Sequence, residues 1–242
     1  MFDAMPTGSV VQLAVCLGLT ALIGLVTWLT IRRDKHDGSR KDVYLAGGKL
    51  SWLFVAGSMM LTTTVGLRLN LEQFGAGATG LILTCQAIGF VVGTQVGPPL
   101  IRRVGHIRVF SAFAALICTA ALLHGAVVDG LLWGVLRFVA GMCGSVMLVV
   151  IESWISAHAT PNARGRVMGI YMIIYYASGA GGQFLVGVAP PEDYRSFNLA
   201  AGLLVLSLVP LAITSLAAPA VANTRRMGLL ALYRVSPIAT AG

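Results

Sequence analysis

The chain has 242 residues, of which 57% are hydrophobic and only 11% are charged, and this composition excludes an ordinary water-soluble domain. Its net charge of +8 does not indicate nucleic-acid binding, because the basic residues lie in short segments between apolar runs and not on one exposed face. The four cysteines (Cys16, Cys85, Cys118 and Cys143) each fall inside an apolar run, which predicts free thiols and no disulfide framework.

Seven apolar runs follow one another along the chain, each near the roughly 20 residues that a helix needs to cross a bilayer. They lie at 10–31, 50–67, 76–101, 109–128, 130–156, 167–189 and 197–218. The first run exceeds the core of a signal peptide and is predicted to be retained as a membrane helix. The predicted fold class is therefore all-α: an integral membrane protein with about seven transmembrane helices. We divide it into an extra helix with a basic loop (1–49), a six-helix bundle (50–218) and a cytoplasmic tail (219–242).

The basic residues predict the direction of these helices, because Lys and Arg accumulate in short cytoplasmic loops. Fourteen of them fall on one side, in the segments 32–49, 102–108, 164–166 and 225–234, whereas the other side holds only Arg68 and Arg195. Every second loop is basic, as seven alternating spans require. We predict a multi-pass protein of a bacterial-type inner membrane, with the N-terminus outside and the C-terminus in the cytoplasm.

Two segments near the N-terminus are similar to the start of sodium:solute symporters. They are DVYLAGGKLSW at positions 42–52 and GSMMLTT at positions 57–63, with the helix before them. The resemblance covers about residues 8–63 and implies an outside N-terminus and a cytoplasmic loop before the second helix. Later helices that would complete a sodium site in that family are missing, so sodium coupling is not implied.

From about residue 64 onward the chain resembles the N-terminal six-helix half of a Major Facilitator Superfamily transporter. The matching segments are LRLNLEQF at 67–74, GPPLIRRVGHIR at 97–108, RFVAGMCG at 137–144, PNARGRVMG at 161–169 and GAGGQ at 179–183. The tail at 219–242 is similar to the linker that precedes a seventh facilitator helix. The resemblance implies a transporter that moves a small solute between two bundles by alternating access.

The segment 97–108 resembles the family's cytoplasmic gate, and the resemblance assigns that role to Arg102, Arg103, Gly105 and Arg108. Aligned on Gly105, the family's leading glycine falls on Pro98 and its acidic residue falls on Arg102. We hypothesise that Glu152 supplies the missing acid by pairing with Arg102, Arg103, Arg164 or Arg166. The alternative is that Glu152 faces water at a helix end.

Arg137 lies inside a predicted membrane helix, where a charge costs at least about 2.5–3.5 kcal/mol. The family resemblance implies contact with a substrate carboxylate or a proton path, and the alternative is a structural arginine that bonds carbonyls or reaches the outer surface. Five further polar residues, Gln86, Gln95, Tyr171, Tyr175 and Gln183, could line the same cavity or hydrogen-bond between helices.

Glycines recur at four-residue spacing in two of the predicted helices, which lets helix backbones approach closely in lipid. The predicted packing residues are Gly89, Gly93, Gly97, Gly141 and Gly144. His106 and His124 have no companions at metal-ligand spacing, and no nucleophile or phosphate-binding motif occurs. We therefore predict no enzyme activity, no metal and no cofactor.

The resulting hypothesis is a facilitator-type transporter of an unknown small solute that works as an oligomer, because one six-helix bundle supplies only half of a solute path. The predicted partners are the lipid bilayer and a second copy of the chain or a larger membrane complex, without nucleic acid. Two alternatives stand beside it: a non-transporting structural or accessory subunit, and a truncated fusion remnant.

Overall fold

The computed structural model describes the backbone of residues 38–209 and the side chains of residues 52–209. Within these residues the chain forms six α-helices. They are α1 (Gly38–Leu71), α2 (Ala76–Val104), α3 (His106–Ala126), α4 (Gly130–His158), α5 (Arg164–Val186) and α6 (Tyr194–Leu206). The predicted first span, 10–31, and the predicted tail, 219–242, lie outside the described residues.

The first described helix starts earlier than the sequence predicts. Helix α1 has 34 residues and begins at Gly38, within the segment 32–49 that we predicted as a cytoplasmic loop. At 1.5 Å per residue it extends for about 51 Å, which is longer than a bilayer core. Only its part Trp52–Leu71 has the composition of a membrane span. The loop prediction was therefore wrong for residues 38–49, because helix formation there does not depend on burial in lipid.

Four of the described helices are long and apolar enough to cross a membrane. They are Trp52–Leu71 within α1, followed by α2, α3 and α4 over their full lengths. The predicted spans 167–189 and 197–218 correspond to α5 and the described part of α6, which do not meet the same standard over the residues that the structure describes. The total of seven spans stays a prediction.

The connection between α2 and α3 consists of one residue, Gly105. Its φ angle is 91°, a conformation that glycine adopts without steric penalty. Most of the segment 102–108 that we predicted as a cytoplasmic loop is therefore helical, and α2 continues through Pro98 and Pro99 to Val104. Arg102 lies in the last turn of that helix, where the helix dipole favours a positive charge.

Helix α4 organises one side of the bundle and α1 the other. Helix α4 packs along α2 and α3, whereas α1 packs against α5 and α6, and α3 also contacts α6. Large buried side chains fill the space between these helices, among them Phe54, Phe110, Trp133, Met147 and Phe197. The connections 72–75, 127–129 and 187–193 share one end of the bundle, which we call the predicted outer end.

Helices α2 and α4 approach so closely that side chains are excluded from parts of their interface. A Cβ atom at Gly89 would overlap the backbone carbonyl of Phe138, and one at Gly141 would overlap that of Gln86. At Gly93 a Cβ would lie 2.5 Å from the Met142 carbonyl oxygen. These glycines therefore set the spacing of the two helices, and through it the position of Gln86.

Two other glycines from the predicted packing set lie in looser surroundings. Gly97 faces Val146 at ordinary van der Waals distance, 3.6 Å from the built Cβ to the nearest atom. Gly144 has no heavy atom within 4 Å of a built Cβ and lines a cavity instead of a helix contact. The prediction that Gly144 packs closely against another helix is therefore wrong, because Gly144 lies on a face of α4 that does not contact α2.

Candidate functional site

The candidate site is built around Arg137, seven residues after the start of α4 at Gly130. At 1.5 Å per residue this places its Cα about 10 Å from the predicted outer end. The side chain is completely buried, with 0% of its surface exposed. Side chains of a helix lean towards its N-terminus, so that the guanidinium reaches back towards the connection between α3 and α4.

Two neutral side chains bind the Arg137 guanidinium. Its Nη1 donates to Oε1 of Gln86 on α2 over 2.9 Å, and its Nε donates to Nε2 of His124 on α3 over 3.3 Å. The Nη2 atom is buried and has no hydrogen-bond partner. Among residues 52–209 the structure shows no ion pair between this guanidinium and a carboxylate.

The contacts of His124 fix its protonation pattern. Its Nδ1 lies 2.7 Å from the Ala120 carbonyl oxygen, which can only accept, so Nδ1 carries the proton. Its Nε2 faces the Nε of Arg137, which can only donate, so Nε2 carries none. The imidazole is therefore neutral. Phe197 stacks on the ring at 6.4 Å and 7°, and Trp133 packs beside it at 5.7 Å, which holds the imidazole in place.

Gln86 connects the arginine to a cavity. Its Nε2 donates to Oγ1 of Thr62 on α1 over 3.4 Å, and that hydroxyl donates to the Ser58 carbonyl oxygen over 2.9 Å. The cavity holds about 100 Å³ and is lined by residues of α1, α2, α3, α4 and α5. Its polar lining comes from Ser58, Thr62, Gln86 and Tyr175, and the rest of its wall is apolar or glycine.

The structure brings together three of the six residues that we predicted for a polar pathway, and Gln95 is exposed on α2. Gln86 bonds Arg137, and Gln86 and Tyr175 both line the cavity. Tyr171 is buried elsewhere, and its hydroxyl lies 3.4 Å from Oε1 of Glu152. Gln183 is exposed and accepts a hydrogen bond from Thr63 over 2.8 Å, which joins α5 to α1 at the bundle surface.

Of the four ion pairs that we hypothesised for Glu152, those with Arg102, Arg103 and Arg164 do not form, and the one with Arg166 stays a prediction. Arg102 and Arg103 are exposed at the end of α2, and Arg108 is exposed in the first turn of α3. Within residues 52–209, Glu152 lies beyond 4 Å from Arg102, Arg103 and Arg164, and its described partner is the Tyr171 hydroxyl. Solvent reaches these arginines, which removes the need for a partner inside the protein.

His124 and Thr62 belong to this site although neither was predicted as a member. Yet His124 lies two residues before the end of α3, and a connection of only three residues makes α3 and α4 antiparallel neighbours. With Arg137 leaning back towards that connection, helix geometry alone brings the two side chains to similar depth. Thr62 could not be predicted in this way, because a threonine hydroxyl in an apolar run usually donates a hydrogen bond to a backbone carbonyl of its own helix. Among the described residues no group of three His, Cys, Asp or Glu side chains is placed to hold a metal ion.

Comparison with protein families gives one match over most of the chain. Residues 49–227 match the model of the Major Facilitator Superfamily. The match begins within the segment 8–63 that we compared with sodium:solute symporters, and these comparisons do not support that symporter resemblance.

Curated relatives include uncharacterised MFS-type transporters of enteric bacteria. The one from Escherichia fergusonii is 30% identical over 155 residues, covering 64% of this chain and 41% of its own length. The one from Yersinia enterocolitica is 28% identical over 173 residues, covering 72% of this chain and 45% of its own length. The chain therefore spans less than half the length of the curated relatives that it matches.

Proposed function

The chain belongs to the Major Facilitator Superfamily, and from this premise we propose that it forms one bundle of a transporter that moves a small solute across an inner membrane. The family and the four span-length helices make it a multi-pass membrane protein. The proposed orientation places the connections 72–75 and 127–129 outside, because the opposite connections carry the basic residues. Exposed apolar side chains such as Leu81 and Leu131, with 71% and 83% of their surfaces exposed, then face lipid.

One observation supports a solute path within the bundle: the polar cavity that Gln86 links to Arg137. Five helices contribute to its wall, and its hydroxyl and amide groups lie at membrane depth, where exposure to lipid would be unfavourable. Polar groups gathered around a small space between helices are typical of substrate sites in membrane transporters. If these residues served only to hydrogen-bond between helices, no cavity would be needed beside them.

A second bundle completes the proposed path. Facilitator halves place their substrate at the interface between two bundles, which rock against each other around it. The six described helices equal in number the helices of one such half. We propose that a second copy of the chain supplies the other half, which would give a path with two equivalent cavities.

Solute uptake tests the proposal. Proteoliposomes with the chain would be incubated with a defined mixture of organic acids, amino acids, sugars and nucleosides, and retained solutes would be measured by mass spectrometry. We expect at least one solute to be retained above protein-free vesicles, and we expect Gln86→Leu to reduce that retention by about tenfold or more, because one lost polar contact is worth about 1.4 kcal/mol or more.

Gln95→Leu is the matched control. Gln95 lies on the same helix, nine residues further on, which is two and a half turns and therefore the opposite face, and its side chain is exposed. The same chemical change there should leave uptake at the wild-type level. Uptake that is equal in Gln86→Leu and wild type, or no solute above the protein-free level, would contradict the proposed path.

A further inference from the structure

Three exposed arginines flank the single-residue connection between α2 and α3. Arg102 and Arg103 lie in the last turn of α2, Gly105 forms the connection, and Arg108 lies in the first turn of α3. We call the three arginines the inner arginines, because the predicted orientation places this end of the bundle at the cytoplasmic face. Among residues 52–209 the structure shows no ion pair between them and a carboxylate. Three like charges therefore lie close together without a counter-ion in this part of the chain.

The described acidic side chains are placed elsewhere. Glu152 is the one on α4, and its Oε1 lies 3.4 Å from the Tyr171 hydroxyl, which donates to it. The other acidic side chains among residues 52–209 lie in the connections of the outer end: Glu72, Asp129, Glu192 and Asp193. An anion that neutralises the inner arginines therefore comes from outside these residues.

The start of α3 adds to the positive charge at this end. No side chain caps it, and its first turn contains no acidic residue. The first amides of a helix lack partners within the helix and carry the positive end of its dipole, so an anion is favoured there, whereas the charge of Arg108 is not. His106, the first residue of α3, has 4% of its surface exposed, and its Nδ1 is buried without a hydrogen-bond partner. Such a nitrogen is costly to bury, and an anion at the start of α3 would offer it a partner.

An exposed apolar face of α2 leads to the inner arginines. Ile88 and Val91 on this face have 52% and 61% of their surfaces exposed. Arg102 follows Val91 by eleven residues, which is close to three helical turns, and therefore lies on the same face. From Ile88 to Arg102 the helix rises by about 21 Å, which matches the roughly 20–22 Å of one bilayer leaflet with its headgroups. A ligand that covers this face and also neutralises Arg102 therefore needs both an acyl chain and an anionic group.

We propose that the inner arginines and the start of α3 bind the phosphate of an anionic phospholipid, whose acyl chain lies along the exposed face of α2. Guanidinium groups form charge-assisted hydrogen bonds to phosphate oxygens, and the free amides of α3 add to them. Basic clusters at the cytoplasmic ends of membrane helices are suited to such headgroups. A free phosphate would use the same donors but would leave the apolar face uncovered. This lipid site goes beyond the proposed solute path and does not depend on transport.

Thermal unfolding in nanodiscs of defined lipid composition tests the proposal. The chain would be placed in dioleoyl phosphatidylcholine with an increasing share of dioleoyl phosphatidylglycerol, which has the same acyl chains and a negatively charged headgroup. We expect the apparent Tm to rise by about 2–4 °C and to saturate, as it does with a ligand that binds only the folded state. Glycerol 1-phosphate, added to phosphatidylcholine nanodiscs, presents a phosphate without acyl chains and should leave the apparent Tm unchanged.

Two variants assign the effect to the inner arginines. In a chain that carries both Arg102→Gln and Arg108→Gln, the apparent Tm should no longer respond to phosphatidylglycerol. In pure phosphatidylcholine it should equal the wild-type value, because the helix dipole favours the charge of Arg102 and opposes that of Arg108, so that the two losses offset each other. Arg195→Gln, the same change at an exposed arginine of the outer end, should retain the full response.

Four results would overturn the proposal. They are no rise of the wild-type Tm with phosphatidylglycerol, a full rise in the double variant, loss of the rise in Arg195→Gln, and an equal rise with glycerol 1-phosphate, which would make the ligand a soluble phosphate. If the double variant has a Tm lowered by the same amount in both lipid compositions, the inner arginines only stabilise the fold, which also contradicts lipid binding.

Discussion

Replacing Gly141 by alanine is expected to destabilise the bundle and to displace the candidate site with it. The new Cβ would overlap the Gln86 carbonyl oxygen and would lie 2.9 Å from the Gln86 carbonyl carbon and 3.0 Å from the Phe90 nitrogen. All three atoms belong to the backbone of α2, so relief requires a shift of the whole helix. Overpacking of this kind costs about 1–3 kcal/mol, which should lower the apparent Tm by several degrees in a chain of this size.

The control for this variant lies on the same helix. Gly144→Ala adds the same methyl group three residues further on, where no heavy atom lies within 4 Å. Its apparent Tm should stay at or slightly above the wild-type value, because alanine favours the helix more than glycine does. If Gly141→Ala and Gly144→Ala have the same apparent Tm, α2 and α4 do not approach each other as closely as this structure has them. Uptake should fall in Gly141→Ala even where the protein remains folded, because Gln86 moves with α2.

Arg137→Met is expected to abolish solute uptake while leaving the bundle at least as stable as the wild type. The buried charge has no acidic partner in residues 52–209, and removing an uncompensated charge from a low-dielectric site relieves a desolvation cost of several kcal/mol. The loss of donors to His124 and Gln86 offsets part of that gain, by about 1–3 kcal/mol for each acceptor left unsatisfied. We therefore expect an apparent Tm equal to or above wild type, together with uptake reduced about 100-fold or more.

Arg137→Lys separates the charge from the geometry. A lysine keeps the positive charge but cannot bind His124 and Gln86 as the planar guanidinium does, so both stability and uptake should fall. Apparent Tm and solute uptake, measured on the same preparations of each variant, distinguish a functional role of Arg137 from a merely structural one. A merely structural arginine would lose both together in Arg137→Met, and that result would contradict a functional assignment.

The helices were largely predictable from the sequence because apolar length is a strong signal in lipid. Arg137 inside a span and the glycines at four-residue spacing were visible for the same reason, since each departs from the surrounding composition. The exact ends of the helices were not predictable: residues 38–49 form helix although they are polar, and the predicted loop 102–108 reduces to Gly105. Polar composition predicts exposure to water, and an exposed segment can still be helical.

The site was predictable only in part, because its members come from five helices. Sequence spacing places residues on one helix face, as it does for Gly89 and Gly93, but it does not say which faces meet. His124 was considered only as a metal ligand, although its depth near the end of α3 matches that of Arg137. The Tyr171 contact with Glu152, and the exposure of Gln183, depend on how α5 packs, which no local pattern encodes.

The central claim is that this bundle transports solute only when paired with a second bundle. Native mass spectrometry of the chain in nanodiscs, on a preparation that also shows solute uptake after reconstitution, tests it most directly. We predict particles that contain protein of twice the 25.3 kDa chain mass. A variant whose particles contain a single copy should take up no solute. Particles with a single copy and no other protein, in a preparation that takes up solute at the full rate, would contradict the claim.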